Sequence, residues 1–246
     1  MTMAFTHQQY APPPPGPHMG HVVNGGFQVQ LQSQPRRLKI TQPSFKSRYE
    51  CKLDDGSDGR SIYNLEISTK SSKEPSLTMT AGGAPIAACY FPDPSSYNKD
   101  DAKTFHVGLG DPTNIYWTEM NYRGKDKHGW TFTMSVPQTG QLISARWNKS
   151  NSVAVDGMSA SRLSNNNFNL QDAQGRRMAV FTSHTMSLRP SAVGTLQIDA
   201  HLGPAFEHAV VITLLSIYDF QSREEDKRSS TSSSAAGHAA AAAASG

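Results

Sequence analysis

Between Met120 and Ser150 stand five cations, Arg123, Lys125, Lys127, Arg146 and Lys149, against the single carboxylate Asp126. Side chains of this kind do one kind of chemistry, the attraction of anions. A basic surface can draw in anionic lipid headgroups or acidic partners. Two other stretches lean the same way. Arg36, Arg37, Lys39, Lys46, Arg48, Lys52 and Arg60 face four acidic residues, and Arg162, Arg176, Arg177 and Arg189 face Asp172. The other reading of these residues is ordinary solvated strand edges and turns, where Lys and Arg discourage edge-to-edge pairing. The net charge of the chain is only +3. That is too small to point to a nucleic-acid partner, which takes a strongly basic surface.

Covalent and metal chemistry leave little trace. Gly157-Met-Ser-Ala-Ser161 lacks the second glycine of a nucleophile elbow. Gly108-Leu-Gly110 lacks the third glycine and the following helix of a dinucleotide loop. There is no Cys-x-x-Cys and no His-Glu-x-x-His, so no zinc site is legible. His106, His128, His184, His201 and His208 do not stand at ligand spacing. His201, Glu207 and His208 flank Gly203-Pro204. They read either as a polar cap able to hold a ligand or as a hydrogen-bonded helix terminus. No enzyme and no cofactor is expected.

These residues need elements to hold them. From about Phe45 to Ile198 apolar residues alternate with polar ones in short runs: Tyr49–Leu53, Tyr63–Ile67, Phe105–Leu109, Trp130–Val136, Ile143–Trp147, Phe168–Leu170 and Leu196–Ile198. Ile86–Phe91 and Met178–Phe181 are apolar on both faces, Tyr116–Tyr122 lies between, and Val153/Val155 and Met186–Leu188 extend the series. Period-2 alternation marks half-buried strands. Turn formers separate them, among them Gly82-Gly83, Gly124 to Gly129 and Gln174-Gly175. About a dozen strands with no helical pattern between them predict an antiparallel system. Trp117, Trp130 and Trp147 fall in strands, where they pack a core or, if they share an outer face, make a stacking platform.

One segment breaks the pattern. Ala205 to Phe220 is apolar on every side of a helix: Phe206, Val210, Leu214 and Ile217 on one, Ala209, Val211, Ile212, Leu215 and Tyr218 around the rest. Such a helix must be buried all round. Its uninterrupted run, Ala209 to Tyr218, contains Thr213 and Ser216 and is about half the roughly 20 residues a bilayer span needs. No transmembrane span is expected. A closed barrel has no edges and can enclose a helix. The predicted fold is therefore mainly β, a closed antiparallel barrel of about twelve strands around one buried C-terminal apolar helix. Gly203-Pro204 would begin the helix, and Arg223, Lys227 and Arg228 would stand near its end, where cations suit the dipole.

The flanks differ in composition. Residues 1–35 are rich in Pro, Gly and Gln, with few apolar groups to offset ordering entropy. Residues 225–246 are rich in Ser and Ala. Both read as disordered tails around a domain spanning 36–224. The run Pro12 to Pro15 favours polyproline II and could meet a protein partner. The N-terminal residues lack the basic start and apolar core of a secretory signal. Cys51 and Cys89 are the only cysteines. An intracellular protein, cytoplasmic or peripherally membrane-bound, with two reduced buried thiols is expected.

The segments Thr195-Leu-Gln-Ile-Asp-Ala-His-Leu202 and Phe206 to Asp219 resemble the terminal strand and helix of the tubby C-terminal-like superfamily, which includes tubby proteins, phospholipid scramblases and LURP-one-related proteins. The two low-complexity tails suggest a fungal member. The resemblance implies a twelve-stranded barrel around a central apolar helix. It also implies a non-enzymatic binding module for anionic phospholipid or phosphoinositide surfaces, here through the basic loops carrying Arg123, Lys125, Lys127, Arg146 and Lys149. The alternative is an intracellular scaffold with disordered arms and no lipid role. The acidic segment of the calcium-responsive members is reduced here to Asp199, and their cysteine run is absent.

Overall fold

In the computed structural model of the chain the described residues are 31–44, 47–55, 59–68, 74–91, 103–111, 113–123, 129–136, 140–159, 166–184 and 191–243, the side chains of 31–33, 123 and 227–243 excepted. The strands are β1 (Leu31–Thr41), β2 (Arg48–Leu53), β3 (Ser61–Ile67), β4 (Leu77–Ala81), β5 (Ala84–Tyr90), β6 (Lys103–Leu109), β7 (Tyr116–Arg123), β8 (Gly129–Val136), β9 (Gln141–Lys149), β10 (Phe168–Asp172), β11 (Arg177–Ser183) and β12 (Ala192–Ala200); the helix is α1 (Pro204–Ala243). Each strand pairs antiparallel with its neighbours in the chain, and β1 closes the barrel against β12 with Leu38 opposite Leu196 and Ile40 opposite Gly194.

The alternation predicted from sequence becomes the inside and outside of this wall. Along β8, Trp130, Phe132, Met134 and Val136 are buried, and along β9, Ile143, Ala145 and Trp147 are buried, with partly or fully exposed residues between them. The inward residues meet α1, whose Phe206, Ala209, Val210, Val211, Ile212, Leu214, Leu215 and Ile217 are at most 1% exposed. Tyr218 is half-buried and packs on Tyr49 and Phe181. A helix apolar all round is thus satisfied all round. Burial of each large side chain contributes roughly 1.5–3 kcal/mol before entropy is set against it.

Two strands that are apolar on both faces are covered from outside as well. Ala88 and Tyr90 of β5 lie under Ile115 and Trp117. A Cβ on Gly108 would stand 3.0 Å from side-chain atoms of both Ile115 and Trp117, so the cover packs closely over a glycine. Over β11 and β12 the segment 150–159 lays Val155 down at 1% exposure, held by Val155 N–H to Thr182 Oγ1 at 2.9 Å and Asp156 N–H to Gln197 Oε1 at 3.1 Å.

The strand count matches expectation, but its members differ. β1 and β4 were not foreseen. Val153/Val155 form the covering segment rather than a strand, and Met186–Leu188 lie outside the described residues. β1 contains Pro35 and a register break between Leu31 and Arg36, which hides its alternation. β4 is announced only by Leu77, Met79 and the turn after it, where Gly82 and Gly83 have φ of 57° and 84° as a two-residue hairpin requires.

The boundaries move too. β1 starts at Leu31, inside the stretch 1–35 that composition assigns to a tail. α1 starts at Pro204, as foreseen, with Glu207 N–H on Gly203 O at 3.3 Å. It continues to Ala243 instead of ending near residue 225; alanine has the highest helix propensity of any residue, and a helix already formed needs no new nucleus to extend. Arg223 is therefore mid-helix, and its charge answers Asp219 rather than a helix terminus.

Candidate functional site

α1 enters the barrel at the end where β12 finishes and leaves at the end where β12 begins. The entry end is closed by its own polar groups. Tyr63 Oη donates to Glu207 Oε1 at 2.7 Å, Arg36 Nε stands 3.1 Å from the same oxygen, and His208 meets the Tyr63 ring edge-on at 5.4 Å. Burial, then the Glu207 hydrogen bond, push the Tyr63 hydroxyl above its ordinary range. Burial, then Arg36, hold the His208 imidazole below its own. Glu207 is thus hydrogen-bonded at the helix start, with His208 packed on the same tyrosine.

Inside the wall, Trp147 Nε1–H donates to Thr213 Oγ1 at 2.9 Å, and Thr213 donates onward to Ala209 O at 2.6 Å. Cys51 and Cys89 are fully buried, and burial raises both thiols, Cys89 to about 12. Toward the exit, Tyr49 Oη donates to Asp219 Oδ1 at 3.1 Å, and Arg223 Nε stands 2.7 Å from Asp219 Oδ2. Arg223 also donates to Ser68 O at 3.2 Å and lies 5.0 Å over the Phe91 ring. Burial raises the Asp219 carboxyl above its ordinary range, against the pull of Arg223 and Tyr49.

Beyond this lock, the exit end opens into a cleft of about 280 Å³ lined by Lys103, Tyr122, Trp130, Lys149, Phe220, Gln221, Glu224 and Glu225. Register explains the grouping. Lys103 opposes Tyr122, Tyr122 opposes Trp130, Trp130 opposes Trp147, and Lys149 follows two residues after Trp147 on the same face. Phe220 closes the floor, 5.0 Å from Phe105 and 6.1 Å from Trp130. Lys103 Nζ sits 4.7 Å over the Phe220 ring and 3.6 Å from Glu224. Desolvation at the cleft wall holds the Lys149 ammonium below the usual lysine range, with Glu225 acting against it.

The five cations singled out from sequence are distributed as follows. Lys149 lines the cleft. Arg146 lies on the opposite face of β9, outside the barrel, opposite Thr131 and Gln171. Arg123 ends β7 at the same rim as Lys149, its side chain not described, and Lys125 and Lys127 lie outside the described residues. Lys103 was not foreseen, nor were Gln221, Glu224 and Glu225. The signal that marks both cleft lysines is one of phase: Lys103 continues the inward series Phe105, Val107, Leu109, and Lys149 continues Ile143, Ala145, Trp147. A lysine in apolar phase at a strand end belongs at a barrel mouth, where its stem packs inward and its charge reaches water. Trp117 lies outside and Trp130 and Trp147 inside, so the three indoles form no shared platform.

Among the described residues no helix is long and apolar enough to cross a membrane, and no three His, Cys, Asp or Glu side chains converge as metal ligands. Fold and site together define a closed twelve-strand barrel with a helix as its axle and a polar-aromatic cleft where the axle leaves. Compared with protein-family models, curated proteins and solved structures, the chain matches none.

Proposed function

We infer that the chain is a tubby C-terminal-like barrel acting as a non-enzymatic binding module, and that its exit end meets anionic phospholipid or phosphoinositide surfaces. The observation that carries this reading is topological. Lys103 at the start of β6, Arg123 at the end of β7 and Lys149 at the end of β9 reach one rim. The sequence between Arg123 and Gly129, the two ends of the β7–β8 hairpin, adds Lys125 and Lys127. Cations gathered at one end of a domain sum their fields over a flat anionic surface, at about 1 kcal/mol per Lys or Arg near the membrane. The family reading is supported by the fit of strand number, closure and near-terminal apolar helix to that group's architecture.

The non-enzymatic reading is supported by where the perturbed groups stand. Tyr49, Tyr63 and Asp219 join α1 to the wall and do not line the cleft, where among the described residues Lys149 is the one perturbed group. A single perturbed lysine falls short of the paired acid and base that catalysis draws on.

Sedimentation with vesicles tests the reading. At low salt, vesicles containing phosphatidylserine or phosphoinositide bring down the protein, phosphatidylcholine vesicles do not, and high salt abolishes the effect as screening shortens. No sedimentation with any vesicle at low salt defeats it. Capture of protein partners by residues 1–30 alone, and not by the barrel, then favours the scaffold reading.

A further inference from the structure

The exit cleft has a feature that surface charge does not account for. Trp130 lines it and is 3% exposed, yet its Nε1–H has no hydrogen-bond acceptor among the described residues. Gln221 lines it too, and its buried Oε1 has no donor. A bare buried donor and a bare buried acceptor in one cleft are each costly to leave unmade. Trp147, the other core indole, has its partner on Thr213. An orphaned donor and an orphaned acceptor lining the same cleft are what a site missing its ligand looks like.

The charges narrow the ligand. The four charged lining residues are Lys103, Lys149, Glu224 and Glu225, a formal balance of zero. A polyanion would meet two carboxylates, and a polycation two ammonium groups. Lys103 is already engaged with Glu224 and the Phe220 face. Lys149 has no ion-pair partner in contact among the described residues, and it is partly desolvated. The cleft therefore offers two donors, the Lys149 ammonium and the Trp130 N–H, and two acceptors, Gln221 Oε1 and the Glu225 carboxylate, among the aromatic rings of Tyr122, Trp130 and Phe220. Aromatic faces attract cations, and Lys103 over Phe220 shows that this floor does so.

We propose that the exit cleft binds a small zwitterion, its anionic group on Lys149 Nζ and Trp130 Nε1–H and its ammonium on Gln221 Oε1 and Glu225 over the aromatic floor. The volume, about 280 Å³, is at the small end of ligand pockets, which run to about 1,000 Å³. Free α-amino acids and the ethanolamine phosphate of a lipid headgroup share this chemistry. The site shares Lys149 with the anionic-surface reading but rests on a different observation, the orphaned Trp130 N–H and Gln221 Oε1.

Calorimetric titration of the full chain with O-phosphoethanolamine and with L-phenylalanine tests it, inorganic phosphate and ethylamine serving as the separate halves. The expected result is saturation by at least one zwitterion, about tenfold or more tighter than by either half. Lys149→Met and Gln221→Met, at partly open positions, and Trp130→Phe, which keeps the ring and drops the N–H, each weaken binding about tenfold, the effect of losing a charged-group hydrogen bond. Circular dichroism melts confirm that the variants fold, and the two open positions carry the test if Trp130→Phe does not. Competition by phosphatidylethanolamine vesicles assigns the headgroup as source; saturation by L-phenylalanine without such competition assigns the free amino acid. The proposal is overturned if neither zwitterion saturates by about 10 mM, weaker than a millimolar site, if phosphate alone binds as well, or if Lys149→Met and Gln221→Met bind like the parent.

Discussion

Trp147 of β9 and Thr213 of α1 are joined by a hydrogen bond of 2.9 Å, Nε1–H to Oγ1, at full burial on both sides. In sequence, Thr213 is an interruption of an apolar run. In the barrel it satisfies the one polar atom that a core tryptophan brings with it, and returns its own proton to Ala209 O within the helix. The bond ties the wall to the axle at a single rotation of the helix, which apolar packing alone specifies less sharply. Thr213→Val keeps the shape and orphans the indole N–H, so a loss of about 1–3 kcal/mol is expected. A double-mutant cycle with Trp147→Phe, read by denaturant unfolding, should show a coupling of about 0.5–3 kcal/mol. Strict additivity removes the bond from the account.

Leu214 is fully buried at the middle of α1. Leu214→Asp places a carboxylate inside the fully buried apolar core, a change whose cost, at about 3–5 kcal/mol or more for an unpaired buried charge, is a large part of a domain's total stability. Loss of the β-sheet circular dichroism signal and of the monomer peak in gel filtration is expected. A folded, monomeric variant contradicts the enclosed-axle architecture.

Asp219 gives the stability a pH dependence whose sign follows from its surroundings. Burial raises its folded carboxyl above the ordinary value of 3.8 in spite of Arg223 and Tyr49. A raised folded value means that its contribution is fully present below the unfolded value and is lost as pH rises through the folded one. Asp219→Asn keeps an acceptor for Tyr49 and no longer titrates. The melting temperature of the parent minus that of the variant should therefore shift in the parent's favour as pH falls from about 7 to below about 4. A difference constant over that span means the carboxyl is not perturbed.

Cys51 and Cys89 are fully buried with raised thiols. Since the thiolate is the reactive form, neither should react with a maleimide or iodoacetamide reagent at about pH 8 while the barrel is closed. Both should react in denaturant, at a rate under native conditions that reports opening of the barrel. Prompt native labelling of either one points to a wall that opens at β2 or β5.

Much of the architecture was legible because it rests on periodicity. The alternation of Trp130, Phe132, Met134 and Val136 can be read without coordinates, and so can the all-round apolarity from Phe206 to Tyr218. What escaped reading had its period broken or its phase unmarked: β1 by Pro35 and a register break, β4 by its brevity. The cleft escaped for a different reason. Its residues are spread from Lys103 to Glu225, and only register brings them together.

Local pattern, and the burial it demands, require that a helix with no polar face be enclosed and that antiparallel sheet enclose it. The tertiary structure decided which end of that helix is sealed and which is open. Glu207 meets Tyr63 and Arg36 at one end, while at the other the Trp130 N–H and Gln221 Oε1 have no hydrogen-bond partner among the described residues. Local pattern says which way a side chain points from its strand. The pairing of the strands decides which neighbours it finds there, and that pairing depends on closure between β1 and β12, the first and last strands of the sheet.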